Sequence, residues 1–534
     1  MNPDEREHAD GSGGQGDQHT LDHPRILTRG ALLFFAGVAI SAFTIRRGIE
    51  PFDEGLTLQA ARRVAEGQLP YSDFLWPYGP AQIYLLAGLF KLFGTSLLWW
   101  RIERTLVDAA VALVVYLLVL RTGAPRNWAL VPWLTAACAM AQPTGANPFA
   151  PALLLALLAV AYAAKRPAMR PIGGRAGRSV LAGVLCAVAA AWRLDFGVYA
   201  TLAAAATVAV GSDSSARAAA RAAALVAAVS AAATAVVYLP FVIADGPADT
   251  WRALAGTSLK QGSYWRLPFP IHYHGPLASL KDAKHALQFY VPLLLLIGLA
   301  LVVVALVVRR RRPAPTVAGL AVLGLCSVPY LLSRTDEFHW APLLVVVAAL
   351  LAIAIPRTAL PLAVPMALVL AALLGYGAAN RLSALLRPPA LATVHVAVAD
   401  GVEAPPRAAR AIPAMVRAVQ RRVAPGEPIY TITRRSDLVR INDPMIYVLT
   451  QRDNPTSQDF GLQTGPTAQR AIVAALVRSR PRVIVRWMDP ISVVREPNAR
   501  GRPTGVHILD HWVARHYRLA ARYGYYDVLV PRTR

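Results

Sequence analysis

Residues 46–80 read RRGIEPFDEGLTLQAARRVAEGQLPYSDFLWPYGP. The stretch follows an apolar run, Gly30–Ile45, and is too polar to cross a bilayer itself. It holds the adjacent acids Asp53 and Glu54, a further acid Asp73, and an aromatic, proline-rich cluster from Pro70 to Pro80. An Asp ahead of the helical pattern Leu56–Ala65 is also an ordinary helix cap. What gives these acids weight is their setting, because apolar runs recur from residue 30 to residue 379.

Composition points the same way. The 534 residues are 55% hydrophobic and 16% charged, whereas soluble domains carry about 25% charge. The class is therefore a polytopic α-helical membrane protein. A net charge of +24 would suggest nucleic acid in a soluble chain. Here the basic residues sit in short loops between apolar runs, and no zinc-finger spacing, RNA-binding signature or basic heptad helix occurs, so nucleic acid is not an expected partner. Cys138, Cys186 and Cys326 all fall in apolar runs and read as small buried hydrophobes. The wealth of Ala, Arg and Val hints at a GC-rich bacterial genome.

Residues 1–29 read as a disordered cytoplasmic tail. They are too long for the charged region of a signal peptide, so the first apolar run is a retained span. Residues 81–95 suit an interfacial helix. Further runs cover about 97–120, 128–142, 148–164, 179–196, 197–211, 220–243, 290–308, 314–332, 340–355 and 359–379, giving about 11 spans at the length a bilayer requires. One side receives Arg121, Arg126, Lys165, Arg166, Arg170, Arg175, Arg178, Arg217, Arg221, Arg309–Arg312 and Arg357, and is cytoplasmic by the positive-inside rule. The other side receives the 46–80 loop, the Pro143–Pro148 turn, Arg193–Gly197, residues 244–289 and Ser333–Trp340. The expected organisation is a tail over 1–29, a transmembrane domain over 30–380 with its first extracytoplasmic loop at 46–95, and an extracytoplasmic small α/β domain over 391–534. In that last region, strand patterns (Pro428–Ile432, Val483–Trp487, Tyr525–Val530) alternate with helical patterns near 407–422, 467–479 and 506–521, predicting a mostly parallel sheet.

Ionisable residues gather on the extracytoplasmic side. Besides the loop acids they include Arg62, Arg63, Arg101, Glu103, Arg104, Asp108, Arg193, Asp195, Arg334, Asp336, Glu337 and His339. Charges at membrane depth usually pair with one another or line a cavity. Phe52-Asp53-Glu54-Gly55 after a first span, then Pro70-Tyr71-Ser72-Asp73-Phe74, Tyr78-Gly79-Pro80 and Leu89-Phe90-Lys91-Leu92-Phe93-Gly94, resembles the GT-C membrane glycosyltransferases. Within them the pattern is similar to the protein O-mannosyltransferase and aminoarabinose-transferase type (glycosyltransferase family 39-like). The resemblance covers roughly residues 30–380 and is strongest over 30–121.

The resemblance implies a GT-C-like fold, a polyprenyl-phosphate sugar donor, hexosyl or pentosyl, and transfer outside the cytoplasm to a protein, lipid or polysaccharide acceptor. It also implies that Asp53 is the general base and Glu54 its supporting acid. The chemistry agrees: an acceptor hydroxyl needs a carboxylate to take its proton, and a departing phosphate needs cations. Attack opposite the leaving group would invert the anomeric centre with no covalent enzyme intermediate. Some relatives carry a Lys-Pro-Pro segment where this chain has Trp76-Pro77-Tyr78-Gly79-Pro80, so phosphate contact falls to Arg193 and Arg334, with Arg104 behind them. Each also has a plain ion-pair reading, with Asp195, Asp336 and Asp108 respectively. Tyr71, Asp73, Tyr78 and His339 complete the expected substrate-binding set.

His272 and His274 alternate along an extended segment, which would point them apart, and they lack a third ligand. No cofactor is assigned, although a divalent metal bridging Asp53 and a lipid phosphate is compatible with the residues. Two other classes compete. A transporter or lipid flippase of cell-envelope precursors would show repeat-related broken spans, and no internal repeat is visible. A non-catalytic assembly protein would tolerate changes in the loop acids but not loss of 391–534.

Overall fold

The structure is a computed structural model, described for residues 22–532 except 146, 165–173, 213–214, 257–261, 263, 271, 310–311, 440–441, 460–463 and 499–500. Residues 1–21 of the expected tail, and the basic residues Lys165, Arg166, Arg170, Arg310 and Arg311, lie outside the described residues.

The first helix, α1 (Asp22–Ala42), begins ahead of the apolar run. The loop follows with α2 (Asp53–Ala65) and α3 (Ala81–Phe93). The bundle continues as α4 (Leu97–Arg121), α5 (Leu130–Met140), α6 (Phe149–Ala163), α7 (Gly174–Trp192), α8 (Leu194–Val210) and α9 (Ala216–Asp245). After the short α10 (Pro247–Trp251) come α11 (Leu280–Val308), α12 (Pro315–Ser333), α13 (Glu337–Ala354) and α14 (Leu360–Leu386).

Five helices, α9 and α11–α14, are long and apolar enough to cross a membrane. Six more apolar stretches of 10–17 residues accompany them, so helix length alone does not give a count of 11. The chain is a multi-pass membrane protein. Large apolar side chains remain on the outer faces, among them Leu32, Phe35, Val236, Ile243, Val307 and Leu368. In water such a surface would be an aggregation hazard; in lipid it is the matched solvent. The innermost helix is α13, where every residue from Trp340 to Ile353 is buried.

A second core joins the loop to the C-terminal region. Leu56, Leu58, Phe74, Trp76 and Trp100 pack in one cluster with Val398, Ile412, Met415, Ile446 and Val485. Every residue of α2 from Glu54 to Val64 is buried, so α2 is an interior helix and not a solvated loop element. Its arginines fasten it: Arg62 bonds Tyr447 O and pairs with Asp453, while Arg63 bonds Thr456 O at 2.6 Å and reaches Asp459 at 2.6 Å.

The C-terminal region contains a short antiparallel pair, β1 (Ala392–Thr393) with β2 (Glu403–Ala404), and a four-stranded sheet. Its strands are β3 (Tyr430–Thr433), β4 (Ile484–Trp487), β5 (Tyr517–Tyr523) and β6 (Tyr526–Pro531), in the order β3-β4-β6-β5. Helices α15 (Pro406–Gln420), α16 (Met445–Thr450), α17 (Pro466–Ser479) and α18 (Ile508–His516) pack around it.

The expected mostly parallel sheet is not found. Only β3 and β4 run parallel; β4–β6 and β5–β6 are antiparallel. The expected helix over 506–521 stops at His516, and the next residues form a hairpin strand. Tyr517, Leu519, Ala521 and Tyr523 alternate with Arg518, Ala520 and Arg522, and Gly524 at φ +58° supplies the left-handed turn position.

Candidate active site

The elements of the 46–80 loop converge with two helix breaks on a cavity of about 860 Å³. Its wall includes Glu50, Asp53, Tyr78, Asn147, Arg193, Asp195, Trp265, Tyr330, Arg334, Asp336, His339 and Glu496. A volume of this order suits an organic ligand.

Both cavity arginines sit where one helix hands over to the next. Arg193 is the single extended residue between α7 and α8, at φ −149° and ψ 120°. The tight reversal depends on Gly197, where a Cβ would lie 2.3 Å from that of Ala190. Gly79 approaches the same corner: a Cβ there would lie 2.1 Å from Ala191 O. Arg193 forms a fork with Asp195 at 3.0 and 2.8 Å and donates to Asn147 Oδ1 at 3.0 Å. Its guanidinium is caged by the rings of Tyr78 (5.1 Å), Tyr330 (4.8 Å) and Phe196 (5.7 Å). Arg334 repeats the theme between α12 and α13. It donates to Asp336 at 2.6 Å, to Trp265 O at 2.5 Å and to Glu496 at 3.2 Å.

Asp336 also caps α13, accepting from the His339 backbone at 3.1 Å and from the ring Nδ1 at 2.6 Å. Burial pushes the Asp336 carboxyl up, but the His339 hydrogen bond and charge, with Arg334, hold it below its usual value. It is therefore an anion at neutral pH. The His339 ring lies 4.6 Å from that of Tyr330.

Asp53 opens α2 and faces the cavity. No hydrogen bond to its carboxylate is found among the described residues. Burial raises its pKa first and the Asp336 charge raises it further, while His339 and Arg334 pull it down. Glu50 lies beside it, its carboxylate accepting from Phe52 N at 2.9 Å and Glu54 N at 2.8 Å. Burial and the nearby Asp53 push Glu50 up to about 8. Burial pushes the Tyr78 hydroxyl up to about 12, against the pull of Arg193.

Asp53, Tyr78, Arg193, Asp195, Arg334, Asp336 and His339 thus share one cavity, and four other expected site residues do not. Glu54 is fully buried in a fork with Arg101 at 2.7 and 2.9 Å, because successive residues of a helix point about 100° apart. Arg104 is spent on Asp108 at 2.7 Å and on Gly145 O at 2.5 Å. Tyr71 is buried with its hydroxyl on Tyr78 O at 2.7 Å. Asp73 closes its own turn, accepting from Leu69 N at 2.6 Å.

Glu50, Asn147, Tyr330 and Glu496 line the cavity without having been expected. Glu50 was findable, three residues ahead of Asp53; Glu496 had no local signal, since only the tertiary fold brings it there. Among the described residues no group of three His, Cys, Asp or Glu side chains is arranged to hold a metal ion. The His272 and His274 rings do not point apart as expected. They stack 6.0 Å apart, because side chains two residues apart on an extended stretch fall on the same side, not on opposite sides.

The overall fold is found in known structures. The fold is that of the GT-C glycosyltransferases. ArnT from Cupriavidus metallidurans, in the apo state, is similar over 96% of this chain and 98% of its own, with a TM-score of 0.53 and 12% identity. The same enzyme bound to undecaprenyl phosphate gives a TM-score of 0.51 over the same shares, also at 12% identity. The oligosaccharyltransferase of Archaeoglobus fulgidus, in complex with Zn and sulfate, gives a TM-score of 0.51 at 14% identity, covering 86% of this chain and 68% of that one. No protein-family model matches the chain, and no curated protein is similar to it in sequence.

Proposed function

We propose that this protein transfers a sugar from a polyprenyl-phosphate donor to an acceptor hydroxyl, on the extracytoplasmic face and with inversion. One observation carries the reading: Asp53, whose carboxylate has no hydrogen bond among the described residues, shares a cavity with two fixed guanidiniums, Arg193 and Arg334. Asp53 takes the hydroxyl proton as the new C–O bond forms. Its raised pKa makes it a stronger base than an exposed Asp. Arg193 and Arg334 face the phosphate, where planar, pre-oriented donors suit developing charge. A similar fold in a protein solved with undecaprenyl phosphate supports a lipid-linked donor here.

Glu54 is a positioning residue in this scheme. Its Arg101 fork, together with the Arg101 bonds to Ile45 O and Gly48 O, fixes the end of α2 from which Asp53 projects. The proposed sidedness rests on basic residues such as Arg357, just past the end of α13 opposite the cavity-lining His339.

The test is transfer of labelled sugar from polyprenyl-phosphate donor by purified Asp53→Asn. Turnover should fall by about 10²–10⁴, the usual worth of a general base, with thermal stability retained. Near-normal turnover would remove Asp53 as the base.

A further inference from the structure

A second cavity, of about 240 Å³, lies at the other end of the bundle, lined by Thr122, Val302, Val317, Leu350 and three arginines, Arg309, Arg312 and Arg357. Helices α12 and α13 connect the two hollows. Tyr330 and Ser333 of α12 and His339 of α13 face the large cavity, while Val317 of α12 and Leu350 of α13 face the small one. α12 has 19 residues, a length of about 28 Å at 1.5 Å per residue, which is close to the bilayer hydrocarbon thickness. The small cavity therefore opens at the opposite membrane face.

Its charge is unbalanced. Among the described residues no Asp or Glu lines it. None of the three arginines forms an ion pair among the described residues. Arg357 is engaged, donating to Ile353 O at 2.7 Å and to Thr122 O, and so ties the ends of α13 and α4 together. Arg309 makes a single side-chain bond, to Thr358 Oγ1 at 3.2 Å. Arg312 makes none among the described residues. This contrasts with the large cavity, where each arginine has its own carboxylate. The apolar side of the hollow is formed by Val302, Ala305 and Leu306 of α11 with Val317 and Leu350.

We propose that this hollow binds the headgroup of an anionic phospholipid, with Arg309 and Arg312 on the phosphodiester and the start of an acyl chain against Val302 and Leu306. Basic pockets between helices at a membrane face are the usual place for such recognition. Arginines placed only to orient the protein need no concave site, and those that only close helix ends bond carbonyls, as Arg357 does. A headgroup accounts for both the hollow and the unpaired cations.

The full chain in nanodiscs of phosphatidylcholine with a minor share of phosphatidylglycerol provides the test, with retained lipid read by native mass spectrometry. The wild type should retain phosphatidylglycerol in preference. The Arg309→Gln/Arg312→Gln variant should lose about 30-fold of that preference, and Arg312→Gln alone about fivefold. Melting in pure phosphatidylcholine should be unchanged for Arg312→Gln, which removes no bond within the described protein. Equal retention by wild type and Arg312→Gln would overturn the proposal. So would displacement by free glycerol phosphate as effective as by phosphatidylglycerol itself, which would make the site one for soluble phosphate.

Discussion

A carboxylate that must accept a proton works only when ionised, so in the proposed mechanism the pKa of Asp53 sets the acidic limb of the rate profile. Burial and Asp336 raise that pKa, so the limb lies above the ordinary Asp value of about 3.9. Arg334 lowers it, and so does His339. Arg334→Gln removes a positive charge and leaves Asp336 compensated by His339 alone, and both changes push the Asp53 pKa up. The limb of kcat/KM should move to higher pH. Asp336→Asn removes a negative charge and should move the limb to lower pH. Profiles of the two variants displaced in the same direction would contradict this electrostatic account. At this scale the sequence was legible for Asp53, Arg193 and Arg334, because polar residues at predicted helix ends are few. It did not say which side of α2 Glu54 faces, since adjacency in sequence does not tell which side of a helix opens to a hollow; Arg104 takes the ion pair with Asp108 that the sequence also offered.

At the scale of elements, α2 is the piece that the rest of the fold grips. The Glu54–Arg101 fork is fully buried, and a buried pair with one partner removed leaves an uncompensated charge. Arg101→Ala should cost about 3–5 kcal/mol of stability, while the conservative Glu54→Gln should keep part of the hydrogen bonding and lose less. Thermal melts of the two in detergent, alongside donor KM, separate a positioning role from a chemical one. If Glu54→Gln melts normally yet loses turnover as Asp53→Asn does, Glu54 acts in the chemistry. Helix positions were readable from the apolar runs to within a few residues for α4, α6, α12 and α13. The break at Arg193 was displaced in the expectation, because Ala-rich sequence on both sides carries no periodic signal there. The β5–β6 hairpin was hidden by helix-favouring Arg, Leu and Ala in Tyr517–Tyr523.

At the scale of the whole molecule, the bundle and the C-terminal region are one unit around the site. Glu496 on Arg334 and Asn498 on Tyr264 O and Arg266 O place C-terminal residues at the cavity wall. Removing 391–534 should therefore abolish transfer through collapse of the loop. Limited proteolysis checks this: the truncated chain should be cut within 46–80, where the full chain resists. A truncated chain that stays resistant would instead favour a recruiting role for the C-terminal region. The membrane class and the general architecture were plain from hydropathy. The union of loop and C-terminal region was not, because it rests on contacts hundreds of residues apart.

That union has a consequence for biogenesis. Arg62 and the Tyr447 carbonyl it bonds are 385 residues apart, which a ribosome covers in roughly 20–80 s at about 5–20 residues per second. Through that interval the nascent α2 lacks the partner that covers it. A pulse-chase experiment should find residues 46–80 open to protease during that delay and closed once the last strands emerge.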